Sequence, residues 1–373
     1  MKILILGGGL QGLSCGCSLY KEHEVSVVTS NLMCKHSRFF KKVYSDVHPN
    51  DDSLFDLLER EHFDVLIPVS DMTVPFASKN KDYIEERFGV KCAVANYEQV
   101  SQVEDKHRFM AFCDVHDIPH PKTKALVAET LEEAASFVGF PSLIKPDFSV
   151  GARGITRVNS LAELKEKFPG VSSRFGACTL QEFIENKDYY YNVMLYRDKK
   201  GRFLGHTILK IVRMYPIAAG SSSCCVTVEN DALLEICKDC LDKLDWVGMA
   251  DFDVLQRSDN GEYKIIEINP RVPASLRAAA ISGVNFPKII VSDAMGQEVP
   301  KYDYASGKIL RYLGIDIMWL LKSPRRFKSK PSWMQFLGKD IFYQDIYKND
   351  PSTWWIWLAE GLEKISNRNK KLR

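Results

Sequence analysis

The sequence lacks any long apolar run. Its longest candidates are residues 317–321 and 354–358, and a membrane-spanning helix needs roughly 18 to 20 such residues. The chain starts with Met1-Lys-Ile-Leu-Ile-Leu6, followed by small residues and Cys15, which could pass for a lipoprotein signal, but residues 7–9 are all glycine and Gln11 is polar. A signal segment would keep this core uninterrupted, so we expect none. The sequence therefore predicts a cytoplasmic protein without a transmembrane helix.

The cysteines and histidines show no spacing typical of a disulfide framework or a zinc site. The ten cysteines have no repeated pair spacing, and the eight histidines include no HExxH motif. Cys237 and Cys240 form a single CxxC without a histidine or a second pair, which favours two core thiols over a metal or redox site. We expect reduced thiols, as in a cytoplasmic protein, and no bound zinc.

A strong overall charge is also missing. Fifty Lys and Arg residues oppose 48 Asp and Glu residues, for a net charge of +2, so we expect no nucleic-acid partner. The balance hides an asymmetry, because residues 301–373 contain fifteen basic and seven acidic residues, a net +8, against −6 for the rest. The 45% hydrophobic content excludes a disordered chain.

The N-terminal segment reads as a strand, a glycine turn and a helix. Residues 2–6 are apolar, and Gly7-x-Gly9-x-x-Gly12 precedes a predicted helix over residues 13–21. This spacing fits the dinucleotide fingerprint, but the second strand ends in Thr29-Ser30, where an NAD site would need an acid for the ribose. We therefore expect a structural βαβ domain and not an oxidoreductase.

Strands and helices alternate along the first 300 residues, which predicts an α/β fold. In the N-terminal unit we predict strands over residues 24–29 and 64–69 and a helix over 53–61. A helix over residues 96–112 should end before Ile118-Pro-His-Pro121. Further along we predict helices over residues 131–138, 161–168 and 232–244, and strands over 142–145, 155–158, 178–183, 193–196, 203–215, 249–256 and 263–268.

A predicted hairpin near residue 260 carries oxygen ligands. Asp259-Asn-Gly261 is a strong turn signal between its two strands. Asp251 and Asp253 share one face of the first strand, and Glu267 and Asn269 share one face of the second, because side chains alternate along a strand. Asp253, Glu267 and Asn269 are the hard oxygen donors that Mg²⁺ prefers. A solvated strand face with chance acids is the simpler alternative.

A second group of residues could bind phosphate. Lys145 leaves a predicted strand and enters a loop of small residues that contains Ser149, Gly151 and Gly154. The N–H groups of such a loop can turn towards phosphate oxygens, and lysine adds a compact positive charge. No GxxxxGK[ST] sequence is present, so this is not a Walker loop. An ordinary hairpin connection is the alternative.

Taken together and in order, these motifs resemble the ATP-grasp superfamily. The set comprises Asp105-Lys106 before Ile118-Pro-x-Pro121, Lys145 before the glycine loop, Gln181-Glu-Phe-Ile184, Asp188, Asp251-x-Asp253 and Glu267-Ile-Asn-Pro-Arg271. The first unit resembles the pre-ATP-grasp domain of the carboxylate–amine ligases, of carbamoyl-phosphate synthetase and of biotin carboxylase. The resemblance implies a pre-ATP-grasp βαβ domain over residues 1–94, an ATP-grasp domain over 95–300, and a mostly helical C-terminal tail over 301–373.

The resemblance also implies roles for individual residues. Lys106 and Lys145 match the lysines that hold ATP phosphates, and residues 149–154 match the loop that closes over them. Asp188 matches the acid on the ribose hydroxyls. The residues that match the adenine-binding hinge are Glu182, Phe183 and Ile184, and those that match the magnesium ligands are Asp253, Glu267 and Asn269.

Two arginines are the candidate catalytic residues. Arg271 matches the arginine at the transferred phosphoryl group, and Arg213 could stabilise an oxyanion or bind a substrate carboxylate. Asp253 is shorter than the Glu or Gln of many relatives, and Arg153 is bulkier than the usual loop residue. An ordinary surface arginine is the alternative for Arg213.

The resemblance implies an ADP-forming ligase. It would use ATP with two Mg²⁺ ions, or Mn²⁺, activate a carboxylate as an acyl phosphate, and join it to an amine. The carboxylate and amine would be small molecules or envelope precursors. The alternatives are a carboxylate–thiol ligase, a carboxylase, and a non-catalytic nucleotide-binding module.

The tail contains five of the six tryptophans, at positions 319, 333, 354, 355 and 357, and basic runs at residues 325–330 and 368–373. One interpretation is a helical appendage that packs on the catalytic body or on a second subunit in a homodimer. The other is an interfacial patch that contacts anionic headgroups at the inner membrane face, or a lipid-linked acceptor.

Overall fold

A computed structural model describes residues 1–147, 153–217, 220–299 and 301–355. The N-terminal unit is a parallel sheet in the order β3-β2-β1-β4-β5. Its strands are β1 (Lys2–Leu6), β2 (Glu24–Val28), β3 (Lys42–Tyr44), β4 (Val65–Pro68) and β5 (Lys91–Cys92), and its helices are α1 (Gly9–Leu19), α2 (Leu32–His36), α3 (Ser53–Arg60), α4 (Thr73–Lys79) and α5 (Lys81–Phe88). Four of the five residues in β1 and in β2 are buried, as expected for a parallel sheet covered on both faces.

The glycines after β1 are required by close packing. Gly7 has φ of +106°, and a Cβ on Gly12 would lie 2.6 Å from the Gly7 carbonyl oxygen. A side chain at position 12 would therefore push α1 away from the strand. This packing explains the Gly7-x-Gly9-x-x-Gly12 spacing without a dinucleotide.

The predicted helix over residues 96–112 is two helices. They are α6 (Tyr97–Glu104) and α7 (Lys106–Val115). Asp105 between them is extended, and its Oδ1 accepts a hydrogen bond from the Arg108 N–H at 3.0 Å. An aspartate that caps a new helix ends the preceding one, which is why the single-helix prediction was wrong.

A four-stranded sheet in the order β6-β9-β7-β8 follows. It consists of β6 (Thr123–Leu126), β7 (Ser142–Pro146), β8 (Thr156–Val158) and β9 (Cys178–Glu182), with α8 (Leu131–Val138) and α9 (Leu161–Phe175). The prediction that this last helix ends at residue 168 was wrong, because α9 continues through Pro169. Val171 and Phe175 beyond the proline pack in the core of this unit, which offsets the hydrogen bond that proline cannot donate.

The largest sheet has seven strands among the described residues, in the order β14-β13-β10-β11-β12-β15-β16. Its strands are β10 (Tyr190–Arg197), β11 (Phe203–Tyr215), β12 (Ser221–Thr227), β13 (Gly248–Gln256), β14 (Tyr263–Asn269), β15 (Ile309–Arg311) and β16 (Ile341–Tyr343), and its helices are α10 (Asp231–Lys243), α11 (Leu276–Ile281), α12 (Phe286–Ala294) and α13 (Leu313–Lys322). The last two strands come from the tail, so part of the tail extends the central sheet.

The N-terminal unit and the large sheet share a hydrophobic core. Leu4 and Leu6 of β1 belong to the same buried cluster as Val193 of β10 and Phe252 of β13. All ten cysteines are free, and nine of them are buried. No helix in the described ranges is both long and apolar enough to cross a bilayer.

Candidate active site between the two antiparallel sheets

The hairpin of β13 and β14 brings the predicted oxygen ligands together. Asp253 is directly opposite Glu267, and Asp251 is directly opposite Asn269 in the antiparallel register. Directly opposite residues have Cβ atoms about 4.5–5.5 Å apart on the same face. The four side chains therefore form one cluster at the end of the hairpin, as the two-residue spacing predicted.

The carboxylates of Asp251, Asp253 and Glu267 repel one another, and nearby basic side chains do not fully neutralise them. Burial, together with the charges of Glu267 and Asp251, raises the pKa of Asp253 well above its ordinary value. Burial also raises the pKa of Asp251 to about 8, although the guanidinium of Arg271 opposes this shift. Asp251 Oδ1 is buried without a hydrogen-bond partner in the described structure. A cation at this position would relieve both the repulsion and the unsatisfied oxygen.

These residues fit Mg²⁺ by their chemistry. Carboxylate and amide oxygens are the ligands that Mg²⁺ uses beside substrate phosphates, where one or two carboxylates are usual. Among the residues that the structure describes, no group of three His, Cys, Asp or Glu side chains is arranged to hold a metal by itself. The set of two carboxylates and the Asn269 amide therefore suits an ion that is shared with a ligand.

Arg271 lies next to this cluster, two residues beyond the end of β14. Its Nε is 2.5 Å from Asp71 Oδ1, and its Nη2 donates to Asn269 Oδ1 at 3.2 Å. Burial would lower the pKa of Arg271, but the carboxylates of Asp71, Asp251 and Glu267 raise it above its ordinary value. The guanidinium is therefore a fixed positive charge at the edge of the carboxylate cluster.

Lys145 approaches the cluster from the opposite sheet. It is buried near the end of β7, and its Nζ donates to Gln181 Oε1 at 2.8 Å. Gln181 in turn donates to Thr123 Oγ1 at 3.0 Å. Burial and the charge of Lys106 lower the pKa of Lys145 to about 8, although Glu267 and Asp253 oppose the shift. These four charged residues thus lie within electrostatic reach of one another.

Lys106 marks the entrance of the glycine loop. It is the first residue of α7, and its Nζ donates to the Asp147 carbonyl at 3.3 Å. Ser149 and Gly151, the predicted phosphate-binding residues of the loop, lie outside the described residues. Gly154 has φ of +78°, and a Cβ there would lie 2.8 Å from Pro146 and Phe175. Glycine is therefore required where the loop rejoins the body.

The predicted adenine hinge follows β9. Glu182 accepts a hydrogen bond from Arg257 Nη1 at 2.5 Å, and its backbone N–H donates to the Lys122 carbonyl at 2.8 Å. The ring of Phe183 lies 4.1 Å from the guanidinium carbon of Arg157. Ile184 is buried. Contacts with Lys122 and Arg257 fix Glu182, and a contact with Arg157 fixes Phe183, as expected for a rigid hinge between two sheets.

The predicted ribose acid has a partner from the tail. Asp188 has φ of +59°, and its Oδ2 lies 3.0 Å from Arg325 Nη1. Both side chains are largely exposed, at 66% for Asp188 and 44% for Arg325. The basic run of the tail therefore reaches the rim of the site.

Arg213 lies apart from the cluster, and its placement corrects the expectation for it. Its side chain has no exposed surface, and its Nε and Nη2 donate to Asp316 at 2.7 and 2.9 Å. Its Nη1 donates to the Pro331 carbonyl at 2.8 Å. The guanidinium is therefore neither a surface group nor open to a substrate carboxylate.

Several residues at the site were missed by the sequence analysis. Asn192 on β10 donates to Asp253 Oδ1 at 3.2 Å. Tyr190 is on the same face, where burial and the charges of Asp253 and Asp251 raise the pKa of its hydroxyl. Asp71 follows a parallel strand at its carboxyl end, a position that commonly contributes to ligand sites and could have been flagged. Asn192 and Tyr190 carried no signal in the sequence.

Comparisons with known proteins identify similar sequences. Residues 202–313 match the family model described as ATP-grasp in the biosynthetic pathway with Ter operon. The D-aspartate ligase of Enterococcus faecium is 26% identical over 309 residues, which cover 75% of this chain and 72% of that protein. The C-terminal section of the carbamoyl phosphate synthase large chain from Methanopyrus kandleri is 25% identical, and the match covers 62% of this chain but 42% of that one.

Solved structures show the same fold. Biotin carboxylase from Campylobacter jejuni, in a complex with a β,γ-ATP compound, superimposes with a TM-score of 0.70 at 17% identity, over 83% of this chain and 74% of that one. The N5-carboxyaminoimidazole ribonucleotide synthetase from Thermotoga maritima superimposes with a TM-score of 0.62 at 20% identity, over 81% and 78% of the two chains.

Proposed function

We propose that this chain is an ATP-grasp ligase that makes carbon–nitrogen bonds and releases ADP. It transfers the γ-phosphoryl group of ATP to a carboxylate and joins the resulting acyl phosphate to an amine. One relative reported above is a D-aspartate ligase. A small amino acid with a free carboxylate is therefore the first substrate class to test.

One observation carries the proposal. Asp253 and Glu267 are directly opposite each other on one hairpin, and Lys145 reaches the same region from the facing sheet, within the electrostatic influence of both carboxylates. Phosphoryl transfer needs positioning and charge neutralisation more than covalent help from the protein. Acids on the hairpin, with Lys145 within electrostatic reach of them and of Lys106, supply both.

Mg²⁺ would be held by Asp253, Glu267 and Asn269. When bound, it would neutralise charge on the β- and γ-phosphates of ATP. Lys145 and Lys106, together with the loop that includes Ser149, Gly151 and Gly154, would hold the phosphates from the other side. Glu182, Phe183 and Ile184 would contact adenine, and Asp188 would accept from the ribose hydroxyls after releasing Arg325.

Arg271 would act on the group that is transferred. A carboxylate is a poor electrophile, and phosphorylation gives it a leaving group. When the amine attacks, negative charge develops on the acyl oxygen, and a fixed guanidinium stabilises this charge because it needs no reorganisation. Asp71 orients Arg271 for this role through their 2.5 Å contact.

The carboxylate–thiol ligase and the carboxylase remain the alternatives within enzymes, because the same ATP site can serve either. A non-catalytic module would not need this complete set of charged residues. The cytoplasmic location, a homodimer and contact of the tail with an anionic membrane stay predictions.

The product nucleotide tests the mechanism. The purified chain is incubated with ATP, Mg²⁺, hydroxylamine and a panel of carboxylates that includes both enantiomers of aspartate. We expect an acyl hydroxamate to form with at least one carboxylate, with ADP and phosphate as the phosphorus NMR products. A thiol in place of hydroxylamine serves to compare the alternative nucleophile. AMP and pyrophosphate as the main products would contradict the acyl-phosphate route.

A further inference from the structure

The turn of the β13–β14 hairpin lies against the segment that follows β9, where the predicted adenine hinge is. The backbone N–H of Ser258 in this turn donates to the Glu185 carbonyl at 2.8 Å, and Asn186 forms an isolated antiparallel bridge with Arg257. The hinge begins at Glu182, the last residue of β9, so the chain that leaves it runs beside the turn. The hairpin that carries the predicted magnesium ligands therefore also contacts the segment that is expected to hold the base.

Arg257 joins the hairpin to the hinge through its side chain. Its Nη1 donates to Glu182 Oε1 at 2.5 Å, while its Nε and Nη2 donate to the two carboxylate oxygens of Asp259 at 3.2 and 3.3 Å. Each nitrogen of the guanidinium thus has an acceptor, and Asp259 orients the group that holds Glu182. The Arg257 and Glu182 side chains are 26% and 21% exposed. Salt and water therefore weaken this pair less than they weaken a pair on an open surface.

The Glu182 carboxylate is also held through its second oxygen. Its Oε2 accepts a hydrogen bond from the backbone N–H of Lys122 at 3.2 Å, and the backbone N–H of Glu182 donates to the Lys122 carbonyl at 2.8 Å. Both carboxylate oxygens are therefore engaged by the protein. Such a side chain stabilises the position of the hinge, and a contact of Glu182 with adenine would come from its backbone.

The same hairpin connects the base end of the predicted nucleotide site to its phosphate end. Arg257 follows β13 directly, and Asp253 lies four residues before it on that strand, a span of about 13 Å. β13 is paired on one side with β10 and on the other with β14. An inner strand of the largest sheet thus separates the two ends of the site, and Arg257 fixes the hinge to this strand.

We propose that Arg257 is a positioning residue that sets the affinity and the base selectivity of the nucleotide site through Glu182. This inference rests on the proposed function and adds a determinant of nucleotide choice to it. A hinge in a fixed position can distinguish the 6-amino group of adenine, a donor, from the 6-oxo group of guanine, an acceptor. A hinge that is free to shift accommodates either base and binds both more weakly, because ordering it costs binding free energy.

The first measurement is nucleotide binding, which requires no knowledge of the carboxylate or the amine. The protein is titrated with N-methylanthraniloyl ADP in the presence of Mg²⁺, and ADP and GDP are the competitors. For Arg257→Gln we expect the affinity for ADP to fall about tenfold or more, the effect of losing one hydrogen bond between charged groups, and the preference for ADP over GDP to shrink. Arg257→Lys keeps the charge without the planar fork, so it should recover part of both.

The second measurement tests whether Arg257 acts through Glu182. In a double-mutant cycle, Glu182→Ala should weaken ADP binding, and adding Arg257→Gln to it should have little further effect. Fully additive losses would contradict a role through Glu182. The matched control is Arg87→Gln, which breaks an exposed ion pair with Glu59 in the N-terminal unit and should bind ADP and GDP as the wild type does.

The third measurement separates positioning of the base from a general defect of the fold. In hydroxamate formation, the KM for ATP should rise about tenfold in Arg257→Gln, while kcat at saturating ATP stays at the wild-type value. This split is expected because the predicted metal ligands and the phosphate-binding lysines are unchanged. A loss of kcat as large as the rise in KM would show that the substitution disturbs the whole site.

The inference is overturned if Arg257→Gln binds ADP and GDP as the wild type does, if its losses add to those of Glu182→Ala, or if kcat falls with the affinity. The proposed function fails in a different way. A wild type that binds ADP but forms no hydroxamate with any carboxylate would contradict the ligase activity, while the binding measurements would still decide the role of Arg257. A wild type that binds neither nucleotide would contradict both.

Discussion

Replacing Glu267 should affect the stability of the fold and the proposed metal chemistry in different directions. It is directly opposite Asp253 in the sheet, and its charge raises the pKa of Asp253 while opposing the lowered pKa of Lys145. No ion pair from a described residue holds its carboxylate. Replacing it with glutamine should therefore relieve repulsion in the apo protein and remove a proposed ligand of Mg²⁺.

We predict that Glu267→Gln lowers kcat for hydroxamate formation by about 100-fold or more, on the scale of losing one preorganised electrostatic group. Thermal unfolding without nucleotide should be unchanged or shifted upwards. The matched control is Glu262→Gln, an exposed glutamate directly before β14, which should keep wild-type activity. ADP release at the wild-type rate by Glu267→Gln would show that the metal assignment is wrong.

At the scale of elements, a buried ion-pair centre attaches the tail to the central sheet. Asp316 of α13 has no exposed side-chain surface and accepts from Arg213 of β11 and from Arg311 of β15. Ser223 of β12 also donates to it, at 3.1 Å. Both arginines are 1% exposed. One carboxylate thus joins three strands and a helix that are far apart in the chain.

We predict that Asp316→Asn destabilises the protein by about 3–5 kcal/mol, because it leaves two buried guanidinium groups without a counter-charge. Chemical denaturation monitored by tryptophan fluorescence measures this loss, since Trp319 lies in the same helix and is 1% exposed. Glu59→Gln, which breaks the exposed pair with Arg87, serves as the control and should change the unfolding free energy little. Equal unfolding curves for the two variants would refute a structural role for Asp316.

At the scale of the whole molecule, the tail presents apolar and basic side chains together. Leu321, Phe327, Met334 and Leu337 are 60%, 85%, 67% and 88% exposed. The basic run over residues 325–330 lies among them. Trp354 and Trp355 are 46% and 73% exposed. A helix that packs tightly on the catalytic body would bury these two side chains. Trp357 lies outside the described residues. This pattern favours an interfacial surface over a purely internal one.

We predict that the protein sediments with vesicles of phosphatidylglycerol and phosphatidylcholine at low salt, and that this binding weakens at high salt. Each basic residue near an anionic surface contributes about 1 kcal/mol, so changing Arg325, Arg326, Lys328 and Lys330 to Gln should release the protein. A control with four exposed lysines outside the tail changed to Gln, at positions 165, 199, 200 and 243, should bind as the wild type does. If the wild type stays in the supernatant at low salt, the membrane proposal fails.

The site divides into residues that the sequence could indicate and residues that it could not. Asp251, Asp253, Glu267 and Asn269 were predictable because a strand repeats every two residues and Asp259-Asn-Gly261 closes the hairpin. Asp71 meets Arg271 across 200 positions of sequence. Local periodicity holds no information about such a pair.

The errors have the same origin. Arg213 appeared available to a substrate because its partner Asp316 lies 103 positions further along the chain. The tail strands β15 and β16 have three residues each, which is too short for an alternating pattern to be recognised. The helix break at Asp105 depends on neighbouring residues alone. The sequence still could not reveal it, because an aspartate in a polar helical stretch looks the same whether it caps a new helix or lies on the exposed face of a continuous one.

By itself the sequence determined the alternation of strands and helices, the glycine turn after β1, and the face on which the hairpin carboxylates lie. These depend on backbone geometry over a few residues, where each side chain's direction follows from its place in the repeat. The tertiary structure alone decided which charges meet: Lys145 with the hairpin acids, Asp71 with Arg271, and Asp316 with two arginines. The physical reason is that burial sets the strength of these interactions, and burial exists only once distant segments have packed together.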